Sequence, residues 1–163
     1  RGNAYIVATG DSHIVARDNV YVVAQDHSII EALDQSFVSA ANHARIIARD
    51  SSSVLARGTA HVEAWDSSIV DIREKAQVIA RDCSNIEARD STQVFAYASS
   101  YITILSPFVQ VTVYGDLVKI LGAFLPSQIH FASSEQQLEG ATGSLAHLLK
   151  LCLIDGLGTK ESA

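Results

Sequence analysis

A chain of 163 residues with a net charge of −6 and charges of mixed sign carries no basic stripe to neutralise phosphates, so no nucleic-acid partner is expected. No apolar run approaches the roughly eighteen residues of a membrane span, and no charged n-region precedes an apolar h-region, so neither a span nor a signal peptide is expected. Two cysteines, Cys83 and Cys152, are too few for a disulfide framework and read as free thiols.

The chain begins at Arg1, contains no Met and enters a repeat by residue 3, which is the expectation for a piece of a longer protein. Residues 3–106 divide into thirteen octads of one pattern, from NAYIVATG and DSHIVARD to STQVFAYA and SSYITILS. The fourth place is always Val or Ile, the sixth is Ala in eleven octads, the second is Ala or Ser in eleven, and the eighth is mostly Asp, Asn or Gly. Places 2, 4 and 6 are thus small or aliphatic while 3, 5 and 7 vary, the alternation of a strand with one buried face. Places 8 and 1 form a corner, where Asp, Asn and Gly tolerate left-handed backbone.

The second place shows how many octads make a coil. From the fifth octad it alternates, Ser36, Ala44, Ser52, Ala60, Ser68, Ala76, Ser84, and the corner after even octads reads Asp18, Asp34, Asp50, Asp66, Asp82. Residues sixteen apart share an environment, whereas a triangular coil of three octads would scramble both columns. The fold class expected is all-β, a flat two-sided parallel β-solenoid with sixteen residues per coil, closed by a C-terminal helical cap.

Along the chain, the first coils place Tyr5, Val7, Tyr21, Val23 and Phe37 outward on the odd-octad sheet, an apolar patch of the kind that marks an interface. The first coil also presents strand edges for another chain to pair with. Farther on, the same sheet turns charged at Arg57, Asp71, Arg73, Glu87 and Arg89. On the even sheet, Trp65 and Tyr97 are candidate platforms for stacking a sugar. Asp11, His27 and His43 share one corner place in three successive coils, residue types that ligate divalent metals. At a solvated corner two ligands one strand spacing apart leave the shell incomplete, so no metal and no cofactor are expected.

At Pro107 the register slips by one residue, and FVQVTVYG and GDLVKILG read as a degenerate last coil over 107–122 with a bulge at Pro107–Phe108. From residue 123 to 163 the expectation is a break at Leu125–Pro126, an amphipathic helix and a polar tail. In that helix Leu138, Ala141, Leu145, Leu148, Leu149 and Cys152 recur at helical spacing.

Sought and not found are a nucleophile with its base, a phosphate loop and a paired-cysteine motif. Units such as SHIVARD, HVEAWD, AQVIARD and SNIEARD resemble octad-repeat β-solenoid segments of bacterial and phage proteins, of unassigned role. That resemblance covers residues 3–106 and implies a fold rather than an activity. Intertwined phage spikes also use octads, but with Gly after Val where this chain has Ala. The function expected is a non-catalytic scaffold or protein-binding rod, self-associating or binding a partner protein through the N-terminal apolar face or open first coil. The alternative is a glycan-binding or glycan-cleaving β-helix.

Overall fold

The computed structural model describes residues 4–132. In chain order the strands are β1 (Tyr5–Ala8), β2 (His13–Ala16), β3 (Tyr21–Ala24), β4 (Ile29–Ala32), β5 (Phe37–Ala40), β6 (Arg45–Ala48), β7 (Ser53–Ala56), β8 (His61–Ala64), β9 (Ile69–Ile72), β10 (Gln77–Ala80), β11 (Asn85–Ala88), β12 (Gln93–Ala96), β13 (Tyr101–Ile104), β14 (Gln110–Val113), β15 (Lys119–Gly122) and β16 (Ile129–Phe131). Odd strands form one eight-stranded sheet and even strands another, both in sequential order. Every pairing is parallel, and through β13 each residue faces the one sixteen positions on, as in Tyr5↔Tyr21 and His61↔Gln77. Among the described residues the only helical element is a 3-10 turn at Pro126–Gln128.

Each regular strand takes places 3 to 6 of its octad, so places 4 and 6 point inward and 3 and 5 outward. The inward Val, Ile and Ala from β3 to β14 are buried, and together they form a single core between the sheets. Place 2 also points inward. There the hydroxyls of Ser28, Ser36, Ser52, Ser68, Ser84, Thr92 and Ser100 are buried with no hydrogen-bond partner in the protein.

The corner is a turn closed by the place-2 N–H donating to the place-7 carbonyl, for example Ser52 to Arg49 at 3.1 Å. Its place-8 residue is left-handed, with φ from 52° to 62° at ten non-glycine positions. Backbone bonds to the preceding coil continue around the turn at places 7, 1 and 3, as from Trp65 to the Ala48 carbonyl, Ser67 to Asp50 and Ile69 to Ser52. The place-8 N–H is left over, and the acidic side chain one coil later accepts it. Asp34 Oδ2 takes the Asp18 N–H at 3.1 Å, Asp50 that of Asp34 at 3.1 Å, Asp66 that of Asp50 at 3.2 Å, and Glu74 that of Gly58 at 3.0 Å. The Asp column is therefore a backbone-capping ladder whose carboxylates reach toward the preceding coil.

At Pro107 the expected bulge is taken up by the corner. Five residues instead of four separate β13 from β14, and β14 still pairs regularly with β12, Gln93 now facing Gln110. The next corner, at residues 114–118, gains one residue more, so Tyr101 faces Lys119. Val109, Val111, Val113 and Val118 keep the inward places and are buried. The ladder also runs past residue 122, where the sequence suggests that the solenoid stops. β16 pairs with β14 at Val111↔Ile129, and buried Gln128 ties the turn down by donating to the Ser106 and Val109 carbonyls at 3.1 and 3.0 Å. The expected helical cap over 138–152 lies outside the described residues.

Candidate functional site

On the odd sheet, residues at place 3 stack along the rod because successive strands bring them one above another. The rings of Tyr5 and Tyr21 lie 5.3 Å apart at 9°, and those of Tyr21 and Phe37 lie 5.0 Å apart at 15°. Beside this run, Val7 and Val23 occupy facing positions at place 5 of the same strands. Tyr5 is 67% and Val7 56% exposed, while Val23 and Phe37 are half-buried. The structure thus brings Tyr5, Val7, Tyr21, Val23 and Phe37 into one patch. Two coils beyond Phe37, the patch gives way to ion pairs along the strand, Arg73 to Asp71 at 2.7 Å and Arg89 to Glu87 at 3.0 Å. The Arg73 guanidinium is held above its ordinary pKa, first by its hydrogen bond to Asp71 and then by that carboxylate's charge.

Trp65 and Tyr97 belong to a different arrangement from the expected sugar platforms. Place 7 of the even octads is a column in which the Arg49 guanidinium lies 5.5 Å from the centre of the Trp65 ring and that of Arg81 lies 4.7 Å from it. Arg81 is also 4.9 Å from the Tyr97 ring, which stacks on Tyr114 at 4.5 Å and 5°. Each ring is sandwiched by its neighbours along the ladder, so it presents an edge rather than a free face to a sugar. Such cation–π contacts are each worth about 0.5–2 kcal/mol. Burial, then Tyr114, raise the pKa of the Tyr97 phenol above its usual value, while Arg81 opposes them.

At the corner, the His27 and His43 rings stack 5.2 Å apart at 15°, and Asp11 is exposed one coil below. Among the described residues no group of three or more His, Cys, Asp or Glu is placed to hold a metal ion. A feature that the sequence reading does not single out lies on the even sheet. There Ile29, Arg45, Ile47, His61, Ile79 and Phe95 border a shallow groove of about 330 Å³. The signal for it was the apolar residues at outward places of strands otherwise carrying Arg, His and Glu.

The fold defined by these ladders is a two-sheet parallel β-solenoid with sixteen residues per regular coil. The chain matches no protein family, no curated protein and no solved structure with which it was compared. Among the described residues no helix is long and apolar enough to cross a membrane.

Proposed function

We propose that the protein is a non-catalytic structural rod that binds a second copy of itself or a partner protein through Tyr5, Val7, Tyr21, Val23 and Phe37. The observation that carries this reading is the stacked Tyr5–Tyr21–Phe37 run, apolar and outward on a sheet whose later coils carry paired charges. Aromatic rings already ordered along a ladder lose little entropy when a partner covers them, and aromatics anchor interface centres. A rod with eight strands in each sheet is about 35 Å long at one strand spacing per coil, and it holds such a patch rigidly.

Light scattering tests this reading. The unmodified chain should show a mass above that of the monomer, alone or with its partner, and the double variant Tyr21→Glu, Phe37→Glu should return it to the monomer mass with its strand circular dichroism intact. A monomer before and after, with no partner bound, defeats the reading.

A further inference from the structure

The groove on the even sheet has walls of opposite charge. It runs along the rod between the outward residues of places 3 and 5. From β4 to β12 the place-3 row carries Arg45 and His61 and no carboxylate, while the place-5 row carries Glu31 and Glu63 and no cation. Arg45 is exposed and Glu63 half-buried.

Neither charge is answered within the chain. Among the described residues the ion pairs are those of Arg73 with Asp71 and of Arg89 with Glu87, where acid and base sit two places apart in one strand. On the even sheet the residue two places on from Arg45 is Ile47, and the one two places before Glu63 is His61. Beyond Glu63, Arg49 and Arg81 lie against the Trp65 ring. Arg45 and Glu63 stand on adjacent strands with Cα atoms about 8 Å apart, so a small head group seated between them reaches both. Next to them the groove is apolar. Ile79 follows Glu63 on β10, and Phe95 follows Ile79 on β12. A charge beside apolar side chains gains from an opposite charge that a ligand brings, and a ligand that is itself dipolar answers both walls at once.

We propose that this groove binds an α-amino acid with an apolar side chain. The carboxylate lies toward the Arg45 guanidinium with His61 beside it, the ammonium toward the Glu63 carboxylate, and the side chain along Ile79 and Phe95. Three substituents of one carbon then meet three unlike parts of the groove, so the site separates the L from the D form. The groove and the Tyr5–Phe37 patch belong to different sheets, and the inference is independent of the role given to that patch.

Titration of the full-length chain with L-phenylalanine, followed by the amide signals in nuclear magnetic resonance, tests this. Shifts should be confined to β6, β8, β10 and β12, with a Kd of about 1 mM for a small ligand in a shallow site. L-phenylalaninamide, N-acetyl-L-phenylalanine, D-phenylalanine and glycine should each bind about fivefold more weakly or worse. Arg45→Gln should weaken L-phenylalanine about fivefold and leave L-phenylalaninamide unaffected, and Glu63→Gln should weaken L-phenylalanine and leave the N-acetyl compound unaffected. Both side chains point outward, so the strand circular dichroism of the variants should match that of the unmodified chain. An absence of shifts at about 10 mM, shifts spread over both sheets, or variants that bind like the unmodified chain overturn the inference. So does N-acetyl-L-phenylalanine binding as tightly as the amino acid, since the site would then suit the C-terminal end of a peptide.

Discussion

Replacing Asp50 separates the two things that a corner aspartate does. It holds the left-handed conformation, at φ 57°, and its carboxylate accepts the Asp34 N–H at 3.1 Å. A hydrogen bond to a charged group contributes about 1.5–3 kcal/mol, but this corner is solvent-exposed and water replaces part of the bond, so about 0.5–1 kcal/mol is the expected loss. Left-handed backbone costs an alanine about 1–2 kcal/mol, costs Asp and Asn less because their short side chains bond locally, and costs glycine almost nothing. Asp50→Asn keeps the acceptor and the conformation, and should be nearly neutral. Asp50→Gly loses the bond and relieves the backbone, for a net cost of about 0–1 kcal/mol. Asp50→Ala suffers both, about 1.5–3 kcal/mol. At about 2–4 °C per kcal/mol for a chain of this size, the alanine variant should melt roughly 3–12 °C lower and the glycine variant at most about 4 °C lower. Thermal unfolding followed by circular dichroism ranks the three. Gly and Ala variants melting together would refute the conformational part of the argument, and an Asn variant as damaged as Ala would refute the bonding part. The chain already contains both substitutes, Gly58 at φ 68° and Ala98 at φ 52°.

Two other outcomes follow from the structure. The buried Ser52 and Ser68 hydroxyls have no protein partner, and the equivalent even places hold Ala44, Ala60 and Ala76. The double variant Ser52→Ala, Ser68→Ala should melt higher, by about 4 °C or more, because each unpaired buried hydroxyl costs about 1–3 kcal/mol and each kcal/mol is about 2–4 °C; a clear fall in melting temperature would show that these hydroxyls bond. At Tyr97, burial and Tyr114 raise the folded phenol's pKa above its ordinary 10.0. The stability that the neutral phenol supplies is present below the unfolded value and is lost as pH rises through the folded one. Above pH of about 10, Tyr97→Phe should therefore lose less stability with rising pH than the unmodified chain. Parallel slopes in alkaline melting curves would contradict this.

How much of this could be read from residues alone varied along the chain. The two sheets and the coil length were legible because inward places 2, 4 and 6 recur without a gap and the Ser/Ala and Asp columns repeat every sixteen residues. The apolar patch was legible for the same reason: Tyr5, Tyr21 and Phe37 fall at one place of successive odd octads. Trp65 and Tyr97 were singled out two coils apart without the Arg81 between them, yet the same sixteen-residue step places that guanidinium between the rings. The direction in which Asp34, Asp50 and Asp66 reach was hidden, since a corner carboxylate can cap its own turn or its neighbour's, and only the three-dimensional offset decides. Strand β16 was missed because Ile129–Phe131 is three residues long and follows a proline turn rather than an octad corner.

The two lengthened corners bear on how such a rod can change. With Pro107 and Phe108 occupying a widened turn, Val109, Val111 and Val113 remain buried and β12 and β14 stay in register. The next corner also has one residue more than the regular four and β15 still finds β13. Coil length is therefore set by the ladder and the inward columns, not by a fixed residue count. Turns on this rod are ports: a loop can be lengthened there, by evolution or by grafting, while the frame that displays it keeps its spacing.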